Sequence, residues 1–157
     1  VAWLKEFPNL IISRTFSKAY GLAGLRVGYA LAHAQVADMM NRVRQPFNVN
    51  AVALAAATAA LGDMEFVARS YAENLQGMRQ LREGAQKLGL EFIPSYGNFL
   101  TIRVGKAQEV YKRLLRRGVI VRPVGGGYQL PEHLRVTVGT GAENDKFLAA
   151  LAPSLKE

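Results

Sequence analysis

The chain has 157 residues, half of them apolar, with a formal charge of +8 and an isoelectric point of about 10.0. That length supports a core and suggests one domain, or a domain with part of another. With no cysteine, disulfides, thiolate metal sites and a cysteine nucleophile are excluded, and the most apolar stretch, Val49 to Leu61, falls short of the roughly 20 residues of a membrane helix. Val1 to Phe7 has neither a basic leader with an apolar run nor an initiator Met, so a signal peptide is not expected. The chain reads as one that begins inside a longer, intracellular protein.

Leu10 to Ser13 is a short apolar run, expected as a buried strand of an α/β sheet. A polar loop over residues 15–26 separates it from a second buried strand, Val27 to Ala32. Ala34 to Arg44 carries Val36, Met39, Met40 and Val43 at helical spacing and stops before Gln45-Pro46. Asn48 or Asn50 caps an alanine-rich helix that runs to Leu61. Gly62-Asp63 breaks it from a long amphipathic stretch that Gly89 closes near Leu88. Two helices in series suit a connection between domains. Beyond them come a strand at Asn98 to Val104, a helix at Lys106 to Arg117, strands at Val119 to Arg122 and Leu134 to Val138, and a helix from about Ala142 to Leu151. This second half reads as an α+β unit, with Gly125-Gly126-Gly127-Tyr128 as a flexible link between its last two strands.

The positive charge raises nucleic acid as a partner, but only Lys112-Arg113 with Arg116-Arg117 is dense, and no aromatic residues interleave there for base stacking. A solvated helix face is the better reading, and neither nucleic acid nor membrane is expected as a partner. A site for several anions also needs arginines, and it biases composition without binding nucleic acid.

Chemistry concentrates in residues 13–29. Lys18 in isolation is an ordinary surface lysine. Beside it, however, Thr15 and Ser17 offer hydroxyls, Gly21 and Gly24 let backbone approach a ligand, and Arg26 stands at the start of the next strand. Hydroxyls, an arginine and a glycine-bent loop make a phosphate cradle. A lysine held next to one suits a cofactor with a phosphate at one end and an aldehyde at the other.

The segment Ser13-Arg14-Thr15-Phe16-Ser17-Lys18-Ala19-Tyr20-Gly21-Leu22-Ala23-Gly24-Leu25-Arg26-Val27-Gly28-Tyr29 closely resembles the cofactor-lysine segment of fold type I aminotransferases of the class I and II group. The resemblance implies pyridoxal 5'-phosphate as cofactor. Lys18 would be the lysine that carries it and shuttles the proton of transamination, with Thr15, Ser17 and Arg26 on its phosphate. It implies an α/β fold: the end of a large domain with a mainly parallel sheet, followed by a small α+β C-terminal domain. Residues 1–47 would belong to the large cofactor domain, 48–89 to inter-domain helices and 90–157 to the small domain. The enzyme would be a cytoplasmic homodimer.

Arg135 lies within the apolar run Leu134-Arg135-Val136-Thr137-Val138, where burial is costly without an anion. A structural ion pair with an internal Asp or Glu explains it equally well on the bare pattern. The resemblance of Leu134 to Thr140 to the family favours a clamp on the substrate α-carboxylate. Arg122 discriminates further: histidinol-phosphate aminotransferases resemble this chain in carrying an arginine there that helps bind the substrate's own phosphate. The segments Gln45 to Asn50, Gly97 to Phe99 and Gly127 to Leu134 also resemble that subfamily. The implied reaction exchanges the amino group of L-histidinol phosphate with 2-oxoglutarate and glutamate as the other pair. Alternatives are an aromatic-amino-acid aminotransferase, a phosphothreonine decarboxylase-like enzyme on the same scaffold or, remotely, a non-catalytic basic interaction domain.

His33 and His133 have no metal-ligand spacing and are expected as surface or packing residues; no metal is expected. Members of the family run to roughly twice this length. The Asp that keeps the cofactor's pyridine nitrogen protonated is among the residues expected outside this chain, so these residues alone are expected to be inactive or weakly active.

Overall fold

In the computed structural model, which describes residues 1–156, strands β1 (Ile11–Thr15) and β2 (Gly28–Ala32) pair antiparallel from Ile11↔Ala32 to Thr15↔Gly28. Both were expected to be buried. Instead Ile11, Tyr29 and Leu31 are 47%, 42% and 37% exposed. Apolar runs of this kind are covered on both faces only within a wider sheet, and these strands form a sheet of two.

Residues Val1–Ser70 form one compact unit and Tyr71–Glu157 a second. In the first, β2 leads into α1 (Ala34–Val43), which stops at Arg44 in extended conformation ahead of Pro46. Of the two candidate caps, Asn50 begins α2 (Ala51–Gly62): its Oδ1 accepts from the Ala53 N–H at 2.8 Å, a contact contributing about 1 kcal/mol. Ala53 and Ala57 pack with Phe16 and Val27 into a small core flanked by Tyr20, Leu22 and Leu25. The Phe16 ring is 4.8 Å from Tyr20 and 5.8 Å from Tyr29, centre to centre. This core lies directly behind the polar loop that joins β1 to β2.

Helix α3 (Met64–Lys87) starts in the first unit and supplies Met78, Leu81 and Ala85 to the core of the second, so the expected connecting helices are also packing elements. Gly89, at φ +69°, ends it as expected. The second unit holds an antiparallel sheet in the order β3-β4-β6-β5: β3 (Phe92–Ile93), β4 (Phe99–Arg103), β6 (Leu130–Thr137) and β5 (Arg122–Val124). Helices α4 (Ala107–Arg116) and α5 (Gly141–Ser154) complete it. Leu81, Leu100, Ile102, Leu114, Leu134 and Leu151 are wholly buried, each contributing about 1.5–3 kcal/mol. Thr140 and Glu143 form a reciprocal capping box at the start of α5. The backbone N–H of Thr140, then its hydroxyl, hold the Glu143 carboxyl below its ordinary pKa.

Two strand boundaries differ from expectation. β5 begins at Arg122 rather than ending there, and β6 begins at Leu130, because the glycine-rich link is a hairpin whose ladder is interrupted by a register shift between Pro123 and Val124. β3 was not anticipated; at two residues it is too short to show a period. The basic group on α4 is not uniformly solvated either. Arg113 donates to the Ser154 carbonyl at 3.0 Å and pairs with Glu109 at 3.5 Å, its side chain only 18% exposed. Among the described residues no single helix is long and apolar enough to cross a membrane.

Gly77 illustrates how closely α3 meets the rest of the second unit. A Cβ there would lie 2.5 Å from Val138 Cγ1 and 2.8 Å from Asn144 Nδ2. Asn144 cannot yield freely, because it is 2% exposed and hydrogen-bonded to Gln80 and to both backbone polar groups of Gly139. Gly77→Ala is expected to destabilise by about 1–2 kcal/mol, overpacking outweighing the roughly 1 kcal/mol of helix propensity gained. Gly62→Ala, where a Cβ meets nothing within 4 Å, is the control. Urea midpoints of the two variants check it; equal midpoints would contradict the steric account.

Candidate functional site

The loop between β1 and β2 is fastened at both ends. The Phe16 N–H donates to the Val27 carbonyl at 3.2 Å and the Leu22 N–H to the Phe16 carbonyl at 3.0 Å, while Phe16 and Val27 are buried at 3% and 7% exposure. A turn closed by the Gly21 N–H to the Lys18 carbonyl at 2.9 Å uses Gly21 at φ +68°, a conformation that suits glycine. With its apolar residues anchored in the core, the loop leaves Ser17, Lys18 and Arg26 outside it.

The polar residues singled out by sequence meet in this loop. Thr15 Oγ1 accepts from the Ser17 N–H at 3.1 Å, and Arg26 Nη1 donates to Ser17 Oγ at 3.4 Å and to the Ala23 carbonyl at 2.8 Å. Arg26 adopts left-handed backbone geometry at φ +53° and ψ +48°, costing about 1–2 kcal/mol in a residue with a Cβ. The hydrogen bonds and flanking anchors sustain that strain and aim the guanidinium back at Ser17. Lys18, next in sequence to Ser17, is exposed, and its ammonium has no hydrogen-bond or ion-pair partner among the described residues. Hydroxyls, a guanidinium and a free amine in one loop can hold an anion beside a nucleophile.

The second unit gathers the other two arginines. Leu100, Ile102, Leu134 and Val136 fill the core side of β4 and β6, so Thr101, Arg103, His133 and Arg135 alternate onto the other side. Arg135 sits opposite Thr101 on one neighbouring strand and opposite Arg122 on the other. Two arginines thus stand side by side across a β-ladder, a pairing unfavourable without an anion. Arg135 is half-buried, with Nε shielded from solvent and lacking a hydrogen-bond partner. Its guanidinium carbon lies 5.0 Å from the centre of the Phe99 ring.

Arg103, on the same side of the sheet, shows what a structural ion pair looks like here. It bridges Glu91 at 3.1 Å and Glu132 at 2.9 Å, and these carboxylates, Glu91 first, hold its pKa above the ordinary arginine value. Arg135 and Arg122 have no such partner among the described residues. Phe99 entered the sequence reading only within a segment resembling the subfamily, with no role given, although its place on the Thr101 side of β4 follows from two-residue alternation. His33 is exposed ahead of α1 and His133 is half-buried on β6, and no group of His, Cys, Asp and Glu among the described residues could hold a metal ion.

Residues 1–151 match the family described as aminotransferase class I and II, and the chain belongs to that family. The chain is 63% identical over 155 residues to a histidinol-phosphate aminotransferase of Methylobacillus flagellatus, covering 99% of this chain and 42% of that protein. It is 60% identical over 157 residues to histidinol-phosphate aminotransferase 2 of Nitrosospira multiformis, covering 99% of this chain and 40% of that one. Among solved structures, the histidinol-phosphate aminotransferase of Sinorhizobium meliloti in complex with pyridoxal-5'-phosphate superposes with a TM-score of 0.87 at 32% identity, covering 95% of this chain and 42% of that one. The fold is therefore the α/β fold of these aminotransferases. The chain spans about two fifths of the length of the curated relatives it matches.

Proposed function

We propose that the chain is the C-terminal part of a histidinol-phosphate aminotransferase that exchanges the amino group of L-histidinol phosphate with 2-oxoglutarate, using pyridoxal 5'-phosphate. The observation that carries this reading is the loop in which Arg26 and Thr15 converge on Ser17 beside an unpaired Lys18, in a chain so similar to enzymes of that name. The residues fit the cofactor at both ends: the Thr15 and Ser17 hydroxyls and the Arg26 guanidinium suit its phosphate, and the Lys18 amine suits its aldehyde. When bound, the cofactor supplies an electron-withdrawing ring that stabilises charge developing at the substrate α-carbon.

The chain's own side chains then have distinct tasks. Thr15, Ser17 and Arg26 hold the phosphate with charge-assisted hydrogen bonds. Lys18 Nζ takes up the proton from the substrate α-carbon. Arg135 clamps the α-carboxylate of glutamate or 2-oxoglutarate, and Arg122 binds the phosphate of histidinol phosphate. Their opposed register on β5 and β6 supports placing two anionic groups of successive substrates near one another.

In this reading residues 1–47 end the large cofactor domain, 48–89 link the domains, and 90–157 form the small domain of a cytoplasmic homodimer. The exposed apolar side chains of the first unit support a larger assembly: Val43 is 83% exposed, Phe47 97% and Val52 69%. Helix α2, with no charged residue, is suited to burial on several sides. The aromatic-amino-acid, phosphothreonine and basic-interaction readings draw no comparable support.

Steady-state kinetics on the intact enzyme test the proposal. L-Histidinol phosphate should surpass phenylalanine as amino donor in kcat/KM. Arg122→Ala should raise KM for histidinol phosphate about 10- to 100-fold, the worth of a hydrogen bond to a charged group, while KM for glutamate changes far less. Unchanged kcat/KM for the phosphorylated donor would remove Arg122 from phosphate recognition.

A further inference from the structure

We infer that Phe99 is a positioning residue for Arg135, its ring holding the guanidinium in place of a carboxylate so that the N–H donors stay free for substrate; this rests on the proposed role of Arg135 as carboxylate anchor. The electrostatics of the sheet pose the problem. Arg135 stands directly across the ladder from Arg122, and like charges so placed repel. Arg103 meets its own charge with Glu91 and Glu132. Arg135 has no acidic partner among the described residues, and its Nε is shielded from water without an acceptor.

What Arg135 does have is an aromatic ring 5.0 Å from its guanidinium carbon. The negative face of a phenyl ring attracts a cation without taking a conventional hydrogen bond from it, and no N–H of Arg135 has a hydrogen-bond partner among the described residues. The in-plane fork of N–H groups, which matches a carboxylate in geometry, is left unused. A carboxylate partner, such as Glu91 and Glu132 are for Arg103, would neutralise the arginine by accepting from those N–H groups. Phe99 therefore supplies attraction without competing for the donors.

The ring is itself well located. Phe99 opens β4, faces Thr137 in the ladder, and follows Asn98, whose carbonyl accepts from the Val138 N–H at 2.9 Å. The preceding loop is tied to α3 at two points: Arg82 donates to the Ser95 carbonyl at 2.6 Å and Asn74 to the Gly97 carbonyl at 3.2 Å. A Cβ on Gly97 would already touch the Phe99 ring at 3.5 Å. The platform beneath Arg135 thus belongs to the framework of the second unit.

The experiment uses the intact enzyme with Phe99→Leu, Phe99→Tyr and Phe99 replaced by pentafluorophenylalanine, which keeps the ring's shape while reversing its charge distribution. Phe99→Leu and the fluorinated ring should each raise KM for glutamate about tenfold with kcat within about twofold, whereas Phe99→Tyr should keep the original KM. In an Arg135→Ala background, the Phe99 changes should add nothing to KM. A fluorinated variant with unchanged KM would overturn the positioning role, and this holds even if Phe99→Leu fails to fold. So would an equal rise in KM in the Arg135→Ala background, which marks packing alone. If Arg135→Ala itself leaves KM for glutamate unchanged, the carboxylate-anchor reading falls first and takes the inference with it.

Discussion

Lys18→Ala in the intact enzyme is expected to lower kcat by about 10⁴-fold or more, because in the proposed function Lys18 is both the cofactor-bonding amine and the base that moves the α-proton. Lys18→Arg is expected to fail almost as completely: a guanidinium stays protonated and cannot accept that proton. Neither change should unfold the protein. Lys18 is exposed and unpartnered, while the loop's shape depends on Phe16 and Val27 in the core and on the turn at Gly21. Thermal unfolding should therefore shift by no more than the roughly 0.5 kcal/mol typical of surface substitutions. Turnover and melting measured together separate loss of chemistry from loss of fold. A Lys18→Ala enzyme retaining a tenth of its kcat would end the assignment. Partial rescue of Lys18→Ala by a small primary amine added to the assay would strengthen it, since that restores a base without restoring the side chain.

The contacts that gather Thr15, Ser17 and Arg26 were legible because everything that defines the loop is local. Thr15, Ser17, Gly21 and Arg26 lie within one short loop, so their residue types and order already limit how they can meet. Helix ends were legible for the same reason: the Asn50 cap and the left-handed Gly89 each act within a turn of backbone. Strand pairing is not local. The opposition of Arg122 and Arg135 depends on the hairpin over residues 125–129 and on the register shift at Pro123 and Val124, neither of which a two-residue period specifies. That is why a strand expected to end at Arg122 begins there. The contact of Phe99 with Arg135 was hidden likewise, since it joins β4 to β6 across a ladder whose register only the fold defines. The exposed sides of β1 and β2 carry a different lesson. Their apolar runs were expected to be buried, but they lie exposed in a sheet of two, because burial of a strand depends on what packs over it and a short apolar run does not specify that.

The register of Arg122 and Arg135 leads to the second large effect. Arg135→Ala is expected to raise KM for glutamate about 100-fold or more, corresponding to the roughly 3 kcal/mol lost with charge-assisted hydrogen bonds to a carboxylate. Arg135→Lys should recover only part of this, because one ammonium cannot match a two-pronged fork. Stability should move the other way. Removing Arg135 relieves the repulsion with Arg122 across the ladder and eliminates a shielded Nε that lacks an acceptor, at the cost of the cation–π contact with Phe99. Each of those contributions is on the order of 1 kcal/mol. The ligand-free Arg135→Ala protein should therefore be as stable as the parent or slightly more so, a residue maintained for binding at some expense to folding. Denaturant midpoints without substrate, set beside KM for glutamate, test both halves. An arginine serving a structural ion pair, as Arg103 does with Glu91 and Glu132, would give the opposite result: a clear loss of stability and little change in KM.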